Sequence, residues 1–297
     1  MSTFVLAHLS DPHLAPLPPV GLADLIGKRA LGFLNWQRKR RLIHRAEMLA
    51  RIVGDLKSAA PDHIAITGDL VNISLASEYP IARAWLEGLG PAQDVTLVPG
   101  NHDAYVRAAA GWPRLHWGDY MRGDAGEAGF PFVRRRGPVA LVGLSSATAT
   151  PPFMATGFLG ADQLRRLADI LQQLDDLFRV VLVHHPARSR PSRHFKRLID
   201  GRGLHEVLAR HGAELVIHGH DHIHSLMWLD GPHGRIPSAG VPSASHAPGR
   251  EHARPGYNLY RIERGDRDWR CEAVSRGLAG DGSQIVELNR RILWGSN

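Results

Sequence analysis

Short strand-like runs alternate with helix patterns over the first two-thirds of this 297-residue chain. Each run is aliphatic or β-branched, as expected for a buried strand, and several of the intervening segments carry apolar residues at helical spacing. After about residue 222 the pattern changes to strands alone. An alternating part followed by an all-strand part predicts an α/β (α+β) fold in which two sheets pack together with helices outside. The runs predict strands at residues 4–10, 63–67, 94–99, 139–144, 180–184, 215–218, 225–229, 235–239, 257–263 and 269–275.

The helix patterns and the lack of linkers predict how this fold is organised. An apolar stripe from Leu42 to Leu56 predicts the first helix, and residues 77–89, 160–173 and 203–211 are further candidates. No internal repeat or low-complexity linker divides the chain, and 43% of its residues are hydrophobic, which is ample for a buried core. We therefore predict one domain over residues 1–297, with residues 20–41 as a lid or a peripheral insertion.

Five of the predicted strands end in residues that can bind metal ions. Each cluster alone has an ordinary interpretation, because Asp, Asn and Gly are common turn residues. Ligands of open α/β sheets, however, bind outside the carboxyl ends of the strands, so five clusters at five such ends should converge. The clusters are Asp11-Pro12-His13, Gly68-Asp69, Gly100-Asn101-His102-Asp103, His184-His185 and His218-Gly219-His220-Asp221-His222.

The chemistry of these side chains restricts the metal. They offer carboxylate, imidazole and amide donors, and the single cysteine, Cys271, excludes a thiolate cluster. Such a donor set suits Mn²⁺, iron or Zn²⁺ and disfavours Cu(I) and iron–sulfur chemistry. Side chains at i and i+2 of an extended segment point the same way, so Asp11 with His13, and His220 with His222, can each reach one site.

The motif series as a whole resembles the calcineurin-like metallophosphoesterases. It reads Asp-x-His, Gly-Asp, Gly-Asn-His-Asp, His and Gly-His-x-His over residues 11–222, and the chain looks most similar to the bacterial cyclic-nucleotide-phosphodiesterase-like branch. The resemblance implies a four-layer αββα sandwich of two mixed β-sheets flanked by helices, with a binuclear metal site at the sheet edge. It also implies that residues 225–297 add strands to the second sheet, and that the cofactors are two divalent metal ions, Mn²⁺, Fe²⁺/Fe³⁺ or Zn²⁺.

The resemblance further implies a role for each motif residue. The ligands of one metal ion would be Asp11, His13, Asp69 and His222, and those of the other would be Asp69, Asn101, His184 and His220. Asp69 would bridge the two ions through its two anionic oxygens. His102 would stabilise the transition state or protonate the leaving alkoxide, with Asp103 orienting its ring. His185 would contact the substrate or support a neighbouring ligand residue.

The expected function is hydrolysis of phosphodiester bonds by a metal-activated water, with no nucleophilic side chain. Residues 143–147 do not form the Gly-x-Ser-x-Gly elbow of serine hydrolases, and the chain has no Gly-x-x-x-x-Gly-Lys-Ser/Thr loop. Three alternatives stay open: a peripheral-membrane phosphohydrolase or pyrophosphatase acting on a phospholipid or lipid-A precursor, a nuclease, and a non-catalytic scaffold. The nuclease is disfavoured by the absence of a basic stripe interleaved with aromatic residues, so no nucleic-acid partner is expected. The scaffold is disfavoured because no ligand position is missing.

The formal charge of +7 has a single source. Residues 27–51 contain eight basic residues and one acid, Glu47. An apolar set overlaps the start of this segment: Leu22, Leu25, Ile26, Leu31, Phe33, Leu34 and Trp36. The favoured interpretation is a lid whose basic residues are solvated, and the alternative is contact with an anionic membrane through residues 22–45. With no signal-peptide pattern and no run of 18 apolar residues, we expect a cytoplasmic protein, either free or peripheral to the inner face of a membrane.

Overall fold

Twelve strands form two six-stranded sheets in a computed structural model that describes residues 3–126, 129–189, 191–248, 254–265 and 268–295. The first sheet has the order β12-β11-β10-β1-β2-β3 and the second the order β4-β5-β6-β7-β9-β8. The strands of the first sheet are β1 (Phe4–Leu9), β2 (His63–Ile66), β3 (Val95–Leu97), β10 (Gly256–Arg264), β11 (Trp269–Leu278) and β12 (Ile285–Trp294). Those of the second are β4 (Phe132–Arg136), β5 (Val139–Gly143), β6 (Phe178–Leu182), β7 (Leu215–His218), β8 (Ser225–Leu229) and β9 (Ile236–Gly240).

Both sheets are mixed, and each contains a run of parallel strands whose carboxyl ends lie at one edge. Strands β1, β2 and β3 are parallel neighbours in the first sheet, and β10 to β12 continue it antiparallel from β1. Strands β5, β6, β7 and β9 are parallel in the second sheet, with β4 and β8 antiparallel at its two edges. The parallel strands of each sheet therefore deliver their following loops to the same edge of that sheet.

Helices cover the outer faces of the sheets. They are α1 (Lys28–Asn35), α2 (Arg41–Ile43), α3 (Ala46–Ser58), α4 (Glu78–Leu89), α5 (Trp112–Trp117), α6 (Ala161–Gln172) and α7 (Gly201–His211), and a π-helical turn at Trp36–Arg40 joins α1 to α2. The alternation along β6 shows the layers: Val180 and Leu182 belong to the core shared with the first sheet, whereas Val181 packs with α6 and α7. The buried faces of α3 and α4 join the core of the first sheet. The predicted four-layer αββα sandwich is thus confirmed.

Two features of the fold differ from the expectations. The C-terminal region was expected to extend one sheet, but β8 and β9 extend the second sheet while β10 to β12 extend the first. Strands β4 and β12 were also absent from the predicted set. Strand β4 contains three consecutive arginines, and half of β12 is exposed with only Leu293 buried, so neither shows the apolar pattern of a buried strand.

Candidate metal centre

The five clusters of candidate ligands meet where β1, β2 and β3 of one sheet and β6 and β7 of the other end. The backbone N–H of Asp11 donates to the Gly68 carbonyl (3.0 Å), and the backbone N–H of His220 donates to Asp11 Oδ2 (3.0 Å), which links the two sheets. Three groups of potential ligand atoms each lie within 4.8 Å of one another, and the predicted convergence is confirmed. The groups are Asp11, His13 and His222; Asp11, Asp69 and His184; and His184, His185 and His220.

Glycines in these motifs allow the loops to approach so closely. A Cβ atom at Gly100 would overlap the Asp69 carboxylate, and one at Gly219 would overlap the side chains of Ser10 and Asp11. The ligand residues themselves adopt positive φ angles that cost non-glycine residues free energy, and the backbone hydrogen bonds of the loops hold them there. These angles are 52° at Asp11, 36° at His13, 58° at Asp69, 67° at His220 and 55° at His222. The motifs therefore encode a tightly constrained backbone as well as ligand side chains.

The first ligand cluster presents an imidazole lone pair to two carboxylates. His13 Nδ1 lies 3.2 Å from the Val71 carbonyl, and the tautomer that donates to this carbonyl carries its lone pair on Nε2. His13 Nε2 is buried without a hydrogen-bond partner and lies 3.8 Å from both Asp11 Oδ1 and Asp69 Oδ2. His222 Nε2 lies 3.0 Å from Asp11 Oδ1. An unpartnered lone pair between two carboxylates fits a metal cation and little else.

In the second cluster, main-chain carbonyls also orient the imidazole rings. His184 Nδ1 donates to the Thr67 carbonyl (2.6 Å), which leaves Nε2 3.4 Å from Asp69 Oδ2 and 3.3 Å from Asn101 Oδ1. His220 Nε2 donates to the Lys196 carbonyl (2.8 Å), so its Nδ1 lone pair faces His184 Nε2 at 3.3 Å. Main-chain carbonyls thus set the tautomer of each imidazole, as they do around bound metals.

Asp69 lies between the two clusters, and one of its carboxylate oxygens faces both of them. Its Oδ2 faces both His184 and His13, while Oδ1 accepts the backbone N–H of His102 at 2.7 Å. Oδ2 is therefore the oxygen that lies near imidazoles of both clusters, while Oδ1 keeps one lone pair besides the one that accepts from His102.

The charges of the cluster favour ionised carboxylates. Burial would raise the pKa of Asp69, but His184 and His102 outweigh it and hold that pKa well below its usual range. Burial would likewise lower the pKa of His184, but Asp69 and Asp11 outweigh it and raise that pKa to about 10. Burial keeps the pKa of His13 and of His220 well below the usual range, so both rings are neutral. Carboxylates and the neutral imidazoles of His13 and His220 are the forms that bind metal ions, whereas His184 would release a proton on binding one.

Asp103 does not have the role expected of it. Its carboxylate accepts four backbone N–H groups, from Asp69 (2.8 Å), Leu70 (2.8 Å), Val71 (3.1 Å) and Gly100 (2.8 Å). It therefore holds the second motif against the third instead of orienting the His102 ring. Adjacent side chains in this turn point in different directions, which is why the two residues do not meet.

The His102 ring is held by other groups. Its Nδ1 donates to the Asn72 carbonyl (2.5 Å), so Nε2 is an acceptor, and Arg40 Nη1 donates to it at 2.8 Å. The Tyr105 ring stacks on the imidazole at a centroid distance of 5.3 Å. Burial and Arg40 lower the pKa of His102 to about 3. The ring is neutral and its lone pair is occupied, an arrangement that favours positioning over proton donation.

Arg40 and His44 are site residues that the sequence did not reveal. Arg40 Nη2 lies 2.9 Å from His13 Nδ1 and 3.5 Å from His44 Nε2. The Arg40 Nε atom is buried without a hydrogen-bond partner, and among the described residues no carboxylate pairs with this guanidinium. His44 is buried, with its ring 4.4 Å from that of His13. Their i, i+4 spacing on one helix face was the only available signal.

His185 lies beside His184 and His220 but has no free ring nitrogen. Its Nε2 donates to the Ala155 carbonyl (3.1 Å) and its Nδ1 accepts the Ser146 hydroxyl (2.8 Å). The ring therefore fastens two loops together. This geometry does not support the expected polar contact with substrate.

Comparison with known proteins agrees with this geometry. A family model described as calcineurin-like phosphoesterase matches residues 4–224. No curated protein sequence matches the chain. Among solved structures, a dimetal phosphatase from Danio rerio superposes with a TM-score of 0.62 at 15% identity, covering 96% of this chain and 98% of that one.

A purple acid phosphatase from yellow lupin (Lupinus luteus) seeds superposes with a TM-score of 0.61 at 12% identity, covering 96% of this chain and 53% of that one. At these identities the superpositions show a shared fold. The family model spans all five ligand clusters, from the start of β1 to two residues beyond His222. The chain belongs to the calcineurin-like phosphoesterase family.

Proposed function

We propose that the protein hydrolyses phosphodiester bonds with two divalent metal ions and a water nucleophile. The observation that carries this proposal is the pair of ligand clusters that share Asp69, with imidazole lone pairs fixed inward by main-chain carbonyls. When bound, two divalent ions supply a nucleophilic water at neutral pH and neutralise charge on the phosphoryl group. The donor set supports Mn²⁺, iron or Zn²⁺.

The ligand assignment is supported by which imidazole nitrogens lie near which carboxylate oxygens. Around Asp69 Oδ2, one side carries His13 and the carboxylate of Asp11, and the other carries His184. Each ligand atom lies on a backbone that other loops hold in place, so little reorganisation is needed on binding. The proposed ligands of the first ion are Asp11, His13, Asp69 and His222, and those of the second are Asp69, Asn101, His184 and His220.

Arg40 is proposed to hold the phosphoryl oxygens, and His102 to position it. Arg40 is a cation beside the ligands, and none of its described contacts is to a carboxylate. A guanidinium binds phosphate oxygens through paired N–H groups, and a phosphodiester would supply the anionic acceptor that this one lacks. His102 keeps the guanidinium in place by accepting one of its N–H groups.

The preference for diesters rests on the resemblance of the motif series to the cyclic-nucleotide-phosphodiesterase-like branch. It is tested with a panel of bis(p-nitrophenyl) phosphate, p-nitrophenyl phosphate and pyrophosphate, each with Mn²⁺, Fe²⁺ or Zn²⁺ supplied to the chelated protein. We expect metal-dependent hydrolysis with the diester as the best substrate. Faster hydrolysis of the monoester or pyrophosphate would overturn the diester assignment. A protein that binds two metal ions and hydrolyses none of the three would be a scaffold.

A further inference from the structure

Exposed apolar side chains are concentrated in three segments of the chain: residues 22–45, 150–158 and 191–199. Leu22 is 92% exposed, Phe153 is 88%, Ile26 is 76% and Phe195 is 62%. Of fourteen large apolar side chains exposed in the described part of the chain, nine lie on these segments: Leu22, Ile26, Leu31, Leu34, Leu42, Phe153, Phe158, Phe195 and Ile199. We call these three segments the apolar rim.

Each segment of the apolar rim touches a histidine of the metal centre. Arg40 of the first segment donates to His102, the Ala155 carbonyl of the second accepts from His185, and the Lys196 carbonyl of the third accepts from His220. The apolar rim therefore borders the metal centre.

The three segments also contact one another. Lys28 Nζ donates to Thr150 Oγ1 (2.7 Å) and to the Met154 carbonyl (3.1 Å), which joins the first segment to the second. The backbone N–H of Ala155 donates to the Phe195 carbonyl (2.9 Å), which joins the second to the third. The three segments of the apolar rim are thus hydrogen-bonded neighbours.

This surface is not a lid packed on the body. In the first segment, Trp36 is buried, but Leu22 and Ile26 project into solvent. The favoured sequence interpretation, an apolar lid with solvated arginines, therefore holds for only part of the segment. Contiguous exposed apolar side chains around a catalytic mouth mark an interaction surface.

The charge of the apolar rim is one-sided. Asp24 is the only acidic residue in the three segments. Four basic side chains of the first segment are exposed, and none forms an ion pair among the described residues: Arg38, Lys39, Arg41 and Arg45. The third segment adds Lys196 and Arg197, and also Arg193, which pairs with Asp221 (3.6 Å). Apolar tips flanked by unpaired cations are complementary to an anionic bilayer, whose headgroups bind the charges while its acyl boundary takes the apolar groups.

We propose that the apolar rim seats the protein on an anionic lipid bilayer, with the metal centre facing the headgroups. No helix in the described part of the chain has both the length and the apolar character needed to cross a bilayer. If the proposed phosphoesterase function holds, this position favours a phosphoester at the membrane surface as substrate. Binding to the bilayer itself does not depend on that function.

The test is co-sedimentation with vesicles of phosphatidylcholine alone or mixed with phosphatidylglycerol. We expect binding to the anionic vesicles at low salt that falls as salt rises, because screening weakens the attraction. A variant with Arg38, Lys39, Arg41 and Arg45 changed to serine should lower the partition coefficient by ~10²-fold or more. Arg40 is retained in this variant because it belongs to the site. Leu22→Ser, Ile26→Ser, Phe153→Ser and Phe195→Ser together should remove the remaining binding at high salt.

Matched controls carry the same kinds of change elsewhere on the surface. One replaces the exposed arginines Arg135, Arg165, Arg166 and Arg210 with serine, and the other replaces Ile81, Leu115 and Leu288. Both should bind vesicles like the wild type. Equal losses in controls and rim variants, or no binding of the wild type to anionic vesicles at low salt, would overturn the proposal. So would a rim that instead mediates self-association, seen as a wild-type dimer that the apolar variant dissociates.

Soluble hydrolysis separates this proposal from the proposed function. Rim variants that lose vesicle binding should hydrolyse bis(p-nitrophenyl) phosphate at the wild-type rate. A wild type that binds vesicles but hydrolyses no phosphoester would contradict the proposed function alone. A wild type that hydrolyses the diester but ignores anionic vesicles would contradict the membrane proposal alone.

Discussion

The metal centre and the apolar rim are neighbours built in opposite ways. In the metal centre, Asp11, His13, Asp69 and His184 are almost fully buried, and main-chain groups fix their orientation. In the apolar rim, the side chains at the tips of the loops project into solvent. The metal centre is therefore specified by short motifs on a constrained backbone, whereas the apolar rim is specified only by composition and exposure. Changes in one region should therefore leave the property of the other intact.

The largest effect is expected at the shared ligand. Asp69→Asn removes the anionic oxygen that faces both His13 and His184, so hydrolysis should fall by several orders of magnitude and bound metal should decrease. Vesicle binding should not change, because Asp69 lies beneath the rim. Activity is measured with bis(p-nitrophenyl) phosphate and metal content by mass spectrometry. Full activity in a metal-replete Asp69→Asn protein would sink the shared-ligand assignment.

Arg40 and Arg41 are adjacent, but only Arg40 belongs to the site. Arg40→Ala should lower kcat/KM by ~10²–10³-fold, the loss expected when a preorganised donor to the reacting phosphoryl group is removed. Metal content should be unchanged. Arg41→Ala, which alters an exposed side chain one residue away, should hydrolyse at the wild-type rate but bind vesicles less. Similar kinetics in the two variants would mean that Arg40 does not contact the substrate.

His102 is a positioning residue in this account, because its lone pair accepts from Arg40. His102→Ala should keep both metal ions and lose rate by ~10²-fold, by the same amount for good and poor leaving groups. The measurement is a series of aryl diesters with increasing leaving-group pKa. A loss that grows steeply along the series would identify His102 as the general acid, and a collapse of metal content would identify it as a ligand.

The smallest effects concern stability. Asp103→Asn should lower the free energy of unfolding by about 2–4 kcal/mol, because an amide nitrogen cannot accept the backbone N–H groups that the carboxylate accepts. Leu22→Ser in the apolar rim should change it by less than ~0.5 kcal/mol, since that side chain is 92% exposed. Denaturant unfolding of both variants at matched metal content measures this contrast. A cost at Leu22 as large as that at Asp103 would show that the rim is packed.

The sequence predicted the fold where strand patterns are apolar. It missed β4 because Arg134 lies within it, buried and donating to the carbonyls of Arg122, Ala92 and Val95. These partners are 12 to 42 residues away in sequence, so no local pattern reveals that the arginine is satisfied inside the protein. It missed β12 because an exposed edge strand has no buried face to produce an apolar alternation.

The same limit applies to the site. Strand ends and motif glycines sufficed to predict that the ligand clusters converge. The partners of those residues come from tertiary structure. The sequence therefore does not show that the Asp103 carboxylate accepts four backbone N–H groups instead of orienting the His102 ring. For the same reason the sequence does not distinguish Arg40 from the exposed basic residues around it, since nothing local indicates that the π-helical turn directs this side chain into the site.

The most direct test of the two-metal assignment is a titration of chelated protein with Mn²⁺, Fe²⁺ or Zn²⁺. Metal bound per chain is counted by mass spectrometry, and hydrolysis of bis(p-nitrophenyl) phosphate is followed in the same samples. We expect saturation at about two ions per chain, with activity rising only as the second ion is bound. Saturation at one ion with full activity, or hydrolysis that persists without metal, would contradict it.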